Sequence, residues 1–154
     1  MLRADYEHVA ALRIAMNFAT AFEQMKQLWP LVEQCDEYPE DEKLSCLGLL
    51  ALCEVGPRSR AKRGVQVETV EKFRRVVDGR QRLLGLKHDL TLSSQNELGF
   101  AQRFAKKPSD ALTTWDAVIS ACDNNESLSV YRAALTYKAH TVWEDSQDLN
   151  GKFC

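Results

Sequence analysis

The chain has 154 residues, of which 45% are hydrophobic and 27% are charged, and its formal net charge is −2. This length and composition predict one globular domain over residues 1–154. No apolar run approaches the roughly 20 residues of a membrane span, and acidic residues precede any apolar run at the start, so we expect neither a span nor a secretory signal and expect a cytoplasmic protein.

Helical spacing of apolar residues recurs through the first half of the chain. The first such set is Val9, Leu12, Ile14, Ala15, Met16, Phe18 and Ala19. A second helix is predicted from about Met25 to Cys35, and Pro30 should bend or restart it. The segment from Lys43 to Glu54 is apolar on nearly all sides, which predicts a helix buried between neighbours.

A longer helix is predicted from about Val67 to Leu84, after the irregular run of residues 55–64. Its expected core stripe is Val70, Phe73, Val76, Val77 and Leu83.

The next two predicted helices form a hairpin. The first carries apolar residues at mostly helical spacing, namely Leu90, Leu92, Leu98, Phe100, Ala101 and Phe104, and Asp89 or Thr91 can cap its start. The run of residues 106–110 breaks the period and offers Ser109 as the next cap, directly after Pro108. The second helix directs Ala111, Leu112, Trp115, Val118, Ile119 and Cys122 toward one side. Packing of the two helices needs small residues at the close approach, for which Gly99 and Ala111 qualify, and large ones in the gaps, for which Leu98 and Trp115 qualify.

The last segment, Leu128 to Val142, predicts an unpaired closing helix with the apolar residues Leu128, Tyr131, Ala134, Leu135 and Val142.

The most distinctive motif continues without a gap from Leu84 to about Ile119. Its residues are Leu84-Gly85-Leu86-Lys87-His88-Asp89-Leu90-Thr91-Leu92, then Asn96-Glu97-Leu98-Gly99, then Ala111, Trp115 and Val118. This motif resembles one tetratricopeptide repeat of the kinesin-light-chain type, whose pattern is roughly L-G-x-x-H-P-x-T-L, N-N-L-A and A-x-x-x-Y-x-x-A. The chain departs from that pattern at four positions: Asp89 replaces a proline, Glu97 the second asparagine, Lys106 the turn glycine and Trp115 the usual helix aromatic.

Such repeats occur in arrays, because one helical hairpin cannot cover its own apolar face. Two repeat lengths upstream, at about forty residues each, the N-terminal set matches the first-helix pattern in either of two registers. One register puts Asn17 at the small position, and the other, which packing favours, puts Ala15 there. The resemblance therefore implies an all-α, tetratricopeptide-like α-solenoid of about three helical hairpins plus a closing helix. The chain also begins almost at a repeat boundary, from which we expect it to be part of a larger protein.

The resemblance further implies a binding surface. In this family the first helices of successive hairpins line a concave groove, and the residues at the paired asparagines point into it; here these are Asn96 and Glu97. Helical adjacency adds Ser93, Phe100 and Arg103 to the same face. An asparagine in such a groove can hold the backbone amides of an extended peptide, and Glu97 should disfavour acidic ligands.

Charge is distributed unevenly, with acidic residues in excess over 33–54 and basic ones over 58–87. The candidate basic patch consists of Arg58, Arg60, Lys62, Arg63, Arg74 and Arg75. It could dock an acidic partner or a nucleic-acid backbone, or it could be an ordinary solvated surface. No aromatic residue alternates with these cations as a single-strand platform needs, so nucleic-acid binding by this chain alone is not expected.

Catalytic and metal-site patterns are not found in the sequence. His8, His88 and His140 are isolated, and no C-x-x-C pair, H-E-x-x-H motif, glycine-rich phosphate loop or G-x-S-x-G motif occurs. The five cysteines are odd in number and are expected to be core or loose residues rather than a disulfide set. We therefore predict no cofactor, no metal and no enzymatic activity.

Three functions remain possible from the sequence. The favoured one is a protein-interaction module that binds a peptide or helix of a partner in the concave groove. The alternative is a sensory or regulatory helical-repeat domain of a larger signalling protein, such as a bacterial transcription regulator. The third is an enzyme with a helical fold and an unrecognised site.

Overall fold

A computed structural model describes residues 17–60, 65–122 and 128–150, together with Glu7 and Ala11. These ranges contain six α-helices: α1 (Phe18–Glu33), α2 (Glu40–Arg60), α3 (Val67–Leu84), α4 (Asp89–Phe104), α5 (Pro108–Ala121) and α6 (Leu128–Asn150). No strand occurs within the described ranges, so the predicted all-α class is confirmed.

Each of these helices packs against the next one along the chain. In addition, α4 contacts both α2 and α6, whereas α1 does not contact α3, and α3 does not contact α5. Helices α2, α4 and α6 therefore form one connected row. Helices α1, α3 and α5 pack against this row without touching one another. Within the described helices, α1 at one end does not contact α6 at the other.

The core is divided into three clusters along this row. The first joins α1 to α2 through Ala21, Met25, Leu28, Val32, Cys46, Leu49, Leu50 and Cys53. The second joins α2, α3 and α4 through Ala51, Val55, Val65, Val70, Phe73, Val77, Leu98 and Ala101. The third joins α4, α5 and α6 through Leu92, Ala111, Trp115, Val118 and Ala134. Burial of each large apolar side chain contributes about 1.5–3 kcal/mol, so each helix is held mainly by its immediate neighbours.

Polar contacts fix the orientation of α2, α3 and α4. Arg80 on α3 donates to Ser94 Oγ on α4 at 2.6 Å and to Ser45 Oγ on α2 at 3.2 Å. Glu54 on α2 accepts hydrogen bonds from Thr69 Oγ1 at 2.6 Å and from Lys72 Nζ at 2.5 Å. Because these partly buried groups are charged, the hydrogen bonds are stronger than neutral ones and resist rotation of one helix against the next.

Several predicted boundaries are wrong in the N-terminal half and at the hairpin. Helix α1 begins at Phe18 instead of about Met25, and it continues through Pro30 to Glu33 without a restart. The missing N–H of proline costs one hydrogen bond near the C-terminal end, where the last turn can still form. The two registers proposed for the N-terminal repeat depend on residues that, apart from Asn17, Phe18 and Ala19, lie outside the described ranges.

The caps of α4 and α5 also differ from the prediction. His88 caps α4, where its Nδ1 accepts from the Leu90 backbone N–H at 3.2 Å, so neither Asp89 nor Thr91 has that role. Helix α5 begins at Pro108 with Lys107 as an N-cap that makes no side-chain bond, and Ser109 lies inside the helix. Proline suits the first helical position because its absent N–H would have no partner there.

Leu83, predicted to be in the core, is exposed instead, and so are four apolar residues of the predicted helical patterns: Leu90, Leu128, Leu135 and Val142. Helical spacing groups them with other apolar residues, but spacing alone does not decide which of these side chains a neighbouring helix covers. Val70, Phe73, Val76 and Val77 are buried as predicted.

Candidate functional site

A cavity of about 390 Å³ lies where α2, α4 and α6 meet. Four residues of α4 and four of α6 line it, and α2 adds one: Leu52, Ser93, Asn96, Glu97, Phe100, Ser129, Val130, Ala133 and Tyr137. The spacings within α4 and within α6 are those of one helix face, so two facing stripes form the walls. The cavity therefore lies along the row formed by α2, α4 and α6.

Four of the five residues predicted for a groove line this cavity: Ser93, Asn96, Glu97 and Phe100. The fifth, Arg103, is not among the lining residues and instead connects α4 to α6. Its Nη2 lies 2.5 Å from Glu144 Oε2 and 2.9 Å from His140 Nδ1. The Arg103 side chain is only 13% exposed, so its charge is committed to these neighbours. Arg103 therefore links α4 to α6 through its hydrogen bonds.

Asn96 is the most buried polar residue of the wall, with 6% of its surface exposed. Its Nδ2 donates to the backbone carbonyl of Val130 at 2.9 Å, which joins α4 to the first turn of α6. Its own backbone carbonyl accepts from Trp115 Nε1 of α5 at 3.4 Å. Its Oδ1, however, is buried and has no hydrogen-bond partner within the described residues. An unsatisfied buried acceptor typically costs about 1–3 kcal/mol, so a donor that reaches Oδ1 would be stabilised there.

Aromatic rings support the cavity from the α4, α5 and α6 sides. The Phe100 and Tyr137 ring centroids are 5.5 Å apart, and the Trp115 and Tyr137 centroids are 5.8 Å apart. Phe100 also contacts Phe104 at 4.7 Å. Tilted ring pairs at these distances stabilise one another by about 0.5–1.5 kcal/mol beyond their burial, so this wall is largely preformed.

The structure does not join the described cations of the candidate basic patch into one free surface. Arg74 pairs with Glu71 at 3.0 Å, and Arg75 pairs with Glu33 at 3.2 Å. The Arg75 guanidinium also lies 6.0 Å from the Trp29 ring centroid. Arg58 and Arg60 end α2, but their side chains lie outside the described part of the chain, as do Lys62 and Arg63 entirely. The local acidic partners offset the charge of Arg74 and Arg75.

The thiol of Cys46 is buried beside Tyr38 and Glu42. Burial, followed by the charge of Glu42, raises its pKa from 9.0 to about 11, while a hydrogen bond with Tyr38 partly opposes the shift. Burial raises the pKa of Tyr38 to about 12, with smaller contributions from Cys46 and Glu42. A thiol with a raised pKa is a poor nucleophile at neutral pH. No group of three or more histidine, cysteine, aspartate or glutamate side chains among the described residues is arranged to hold a metal ion.

Sequence reasoning missed the half of the cavity that α6 supplies: Ser129, Val130, Ala133 and Tyr137. These residues follow helical spacing, which could have marked them as one face. The apolar stripe through Leu128, Leu135 and Val142 gave a stronger signal, yet that stripe is exposed. The sequence carries no local sign of which face of the last helix contacts α4.

Comparison with known proteins does not assign the chain to a family: no family model, no curated protein and no solved structure matches it. Among the described residues, no helix has both the length and the apolar character needed to cross a membrane.

Proposed function

We propose that this chain is a protein-interaction module of tetratricopeptide-like, solenoid architecture that binds a peptide or helix of a partner protein in the cavity between α2, α4 and α6. Contacts between consecutive helices and along the alternate row α2–α4–α6 support this architecture. Stacked helical hairpins bury their apolar faces against neighbouring hairpins and leave an inner row of helices available for a ligand.

The observation that carries the proposal is the cavity itself, in which one face of α4 stands opposite one face of α6. An extended peptide presents one backbone N–H and one carbonyl per residue, except at proline. Asn96 Oδ1 has almost no accessible surface and its Nδ2 is engaged with Val130, so the backbone groups of a peptide would pair with the hydroxyls that line the cavity. The hydroxyls of Ser93 and Ser129 can accept or donate further bonds.

Binding is favoured over catalysis by the residue types present. The lining residues within the described chain include hydroxyls and one carboxylate but neither histidine nor cysteine. A serine hydroxyl becomes an effective nucleophile only when a base lies within hydrogen-bond reach, and neither histidine nor cysteine lines the described wall beside Ser93 and Ser129.

A second candidate is the sensory or regulatory domain of a larger signalling protein, such as a bacterial transcription regulator. The cavity volume favours it, because about 390 Å³ falls within the range of about 300–1,000 Å³ that small-molecule sites occupy. A cytoplasmic location stays a prediction for either candidate.

A peptide-display selection against the purified chain tests the proposed function. Selected peptides are expected to bind the chain and to lose binding by at least about ten-fold in Ala133→Leu, since the added carbons fill the cavity. The matched control is Ala117→Leu. It makes the same substitution at an exposed position of α5, outside the cavity. Equal affinity for both variants would place binding elsewhere and remove the proposal.

A further inference from the structure

Helix α6 presents two faces with different surroundings. Its inner face packs against α4 and α5 and carries Val130, Ala133 and Tyr137, which line the cavity. Among the described helices, no other one contacts α6. The outer face of α6 is therefore left open by the part of the chain that the structure describes.

The outer face carries a continuous stripe of exposed side chains. Leu128, Leu135 and Val142 recur every seven residues and are 54%, 41% and 50% exposed. Four residues after each of them comes another exposed residue: Arg132, Ala139 and Ser146. Alternate steps of four and three residues keep side chains on one side of a helix, as in the seam between two coiled-coil helices. The stripe over residues 128–146 is about 27 Å long and has the form of a helix-pairing surface.

Charge is divided between the two halves of α6. Residues 128–138 include the basic Arg132 and Lys138 and no acidic residue, whereas residues 139–150 include three acidic ones and neither lysine nor arginine. Antiparallel pairing of two such helices places the basic half of each against the acidic half of the other, whereas parallel pairing places like charges side by side. A two-fold axis produces the antiparallel arrangement from two identical copies.

Two of these charges are free to contribute to such a pairing. Lys138 is bound to Asp116 of α5, and Glu144 is bound to Arg103 of α4. Arg132, which is exposed, and Asp145, which is partly exposed, form no ion pair with another described residue. The internal pair of Lys138 also offsets its repulsion from the same residue of a second copy near the axis.

One antiparallel register matches large side chains with small ones. With the two-fold axis near residue 137, Leu135 of each copy lies opposite Ala139 of the other, as close packing of two helices requires. The same register brings Arg132 level with Trp143 of the second copy. Both residues lie on one edge of the stripe, because the eleven residues between their positions make about three turns. Trp143 is 59% exposed, and the face of an indole ring attracts a guanidinium group.

We propose that this chain forms a two-fold symmetric dimer through the outer face of α6, with the two α6 helices antiparallel and Arg132 of each copy against Trp143 of the other. The occupant of the exposed stripe is thus a second copy of the chain. This inference is independent of the proposed function, since the inner face of α6 lines the cavity.

Sedimentation velocity of the purified chain from about 1 to about 100 µM tests the proposal. We expect a dimer in the upper part of this range. Leu135→Glu should weaken dimerisation by at least about 100-fold, because each copy would bury an unpaired charge in the seam. Leu90→Glu is the matched control: it makes the same substitution at a leucine of α4 that is 50% exposed and lies outside the stripe, so it should leave dimerisation intact.

Three results overturn this placement of the interface. A wild-type chain that stays monomeric at about 100 µM has no such dimer, and its stripe would then be left for a helix of another protein. A dimer that persists in Leu135→Glu does not use the stripe. Equal weakening by Leu90→Glu and Leu135→Glu shows a general effect of added charge instead. Circular dichroism of both variants, whose substituted side chains are exposed, should match the wild type.

The contact between Arg132 and Trp143 tests the orientation of the two helices. Arg132→Gln and Trp143→Leu should each weaken the dimer several-fold. Because both substitutions remove the same contact, the double variant should be little weaker than the more affected single variant. Fully additive effects would mean that the two residues do not meet, which overturns the antiparallel register.

Discussion

Gly99 lies against the indole of Trp115 so closely that a Cβ atom on residue 99 would come within 2.5 Å of Nε1 and 2.7 Å of Cε2. Trp115 is fully buried, and its Nε1 donates to the backbone carbonyl of Asn96. The close approach of α4 and α5 at this point therefore positions two walls of the cavity, since Trp115 also contacts the ring of Tyr137.

Replacement of Gly99 by alanine should destabilise the protein. Alanine is the better helix former by about 1 kcal/mol, but the added methyl group overlaps the ring of Trp115, which is fully buried. Overpacking of this kind costs about 1–3 kcal/mol, so we expect a net loss in the free energy of unfolding, measured by urea denaturation.

Gly48→Ala is the matched control, because a Cβ at residue 48 meets only the Val76 methyl groups, at 3.8 Å. We expect it to be neutral or to stabilise the protein by up to about 1 kcal/mol. Wild-type stability in Gly99→Ala would mean that Trp115 can shift, and the preformed cavity wall would lose its support.

Leu98→Ala should lower the free energy of unfolding by about 2–5 kcal/mol. Leu98 is 8% exposed and packs in the cluster that joins α2, α3 and α4. Leu90→Ala on the same helix removes the same atoms from a side chain that is 50% exposed, so about 0.5 kcal/mol or less is expected. Thermal unfolding of the two variants side by side checks the assignment, and similar losses would contradict it.

Lys106 has a φ of 60°, in the left-handed region, at the turn between α4 and α5. A residue with a Cβ is strained there by about 1–2 kcal/mol, whereas glycine is not. After the entropy that glycine gains in the unfolded chain is subtracted, Lys106→Gly should raise stability by about 0.5–1 kcal/mol. Lys106→Ala keeps the strain and should be nearly neutral, and a gain of equal size in both variants would point to charge instead.

Cys46 predicts a dependence of stability on alkaline pH. The folded thiol keeps its proton up to about pH 11, whereas the unfolded thiol loses it near 9.0. Between these pH values the unfolded state binds fewer protons than the folded state. The contribution of the Cys46 thiol to stability is therefore complete below pH 9.0 and is lost as pH rises toward about 11. The loss is about 2–3 kcal/mol, and Cys46→Ala should make the decline in denaturation midpoint shallower over this range. An unchanged slope in that variant would exclude Cys46 as its source.

Much of the helical hairpin from α4 to α5 could be predicted from the sequence, because its signals are local. The small Gly99 and the large Trp115 were expected at the helix contact, and they meet there. Lys106 stands where the resembled family has a glycine. Among the described residues it is the non-glycine residue with a positive φ. Four residues predicted to share one face of α4 line the cavity.

Other features could not be predicted from local signals. Leu90 and Leu135 fit helical apolar patterns and are nevertheless exposed, since an apolar pattern does not specify which side chains a neighbouring helix covers. Arg103 was expected in the groove and instead pairs with Glu144, a residue 41 positions away in the chain.

The sequence by itself determined that the chain is helical and which segments form most of its helices, although not every boundary, since the apolar period, proline and turn residues act over a few neighbouring positions. Tertiary structure alone decided which helix faces meet, that α6 supplies the second wall of the cavity, and that Asn96 keeps one acceptor without a partner. The reason is that a helical pattern specifies an apolar face, but the rotation and neighbours of that face depend on how distant side chains pack together.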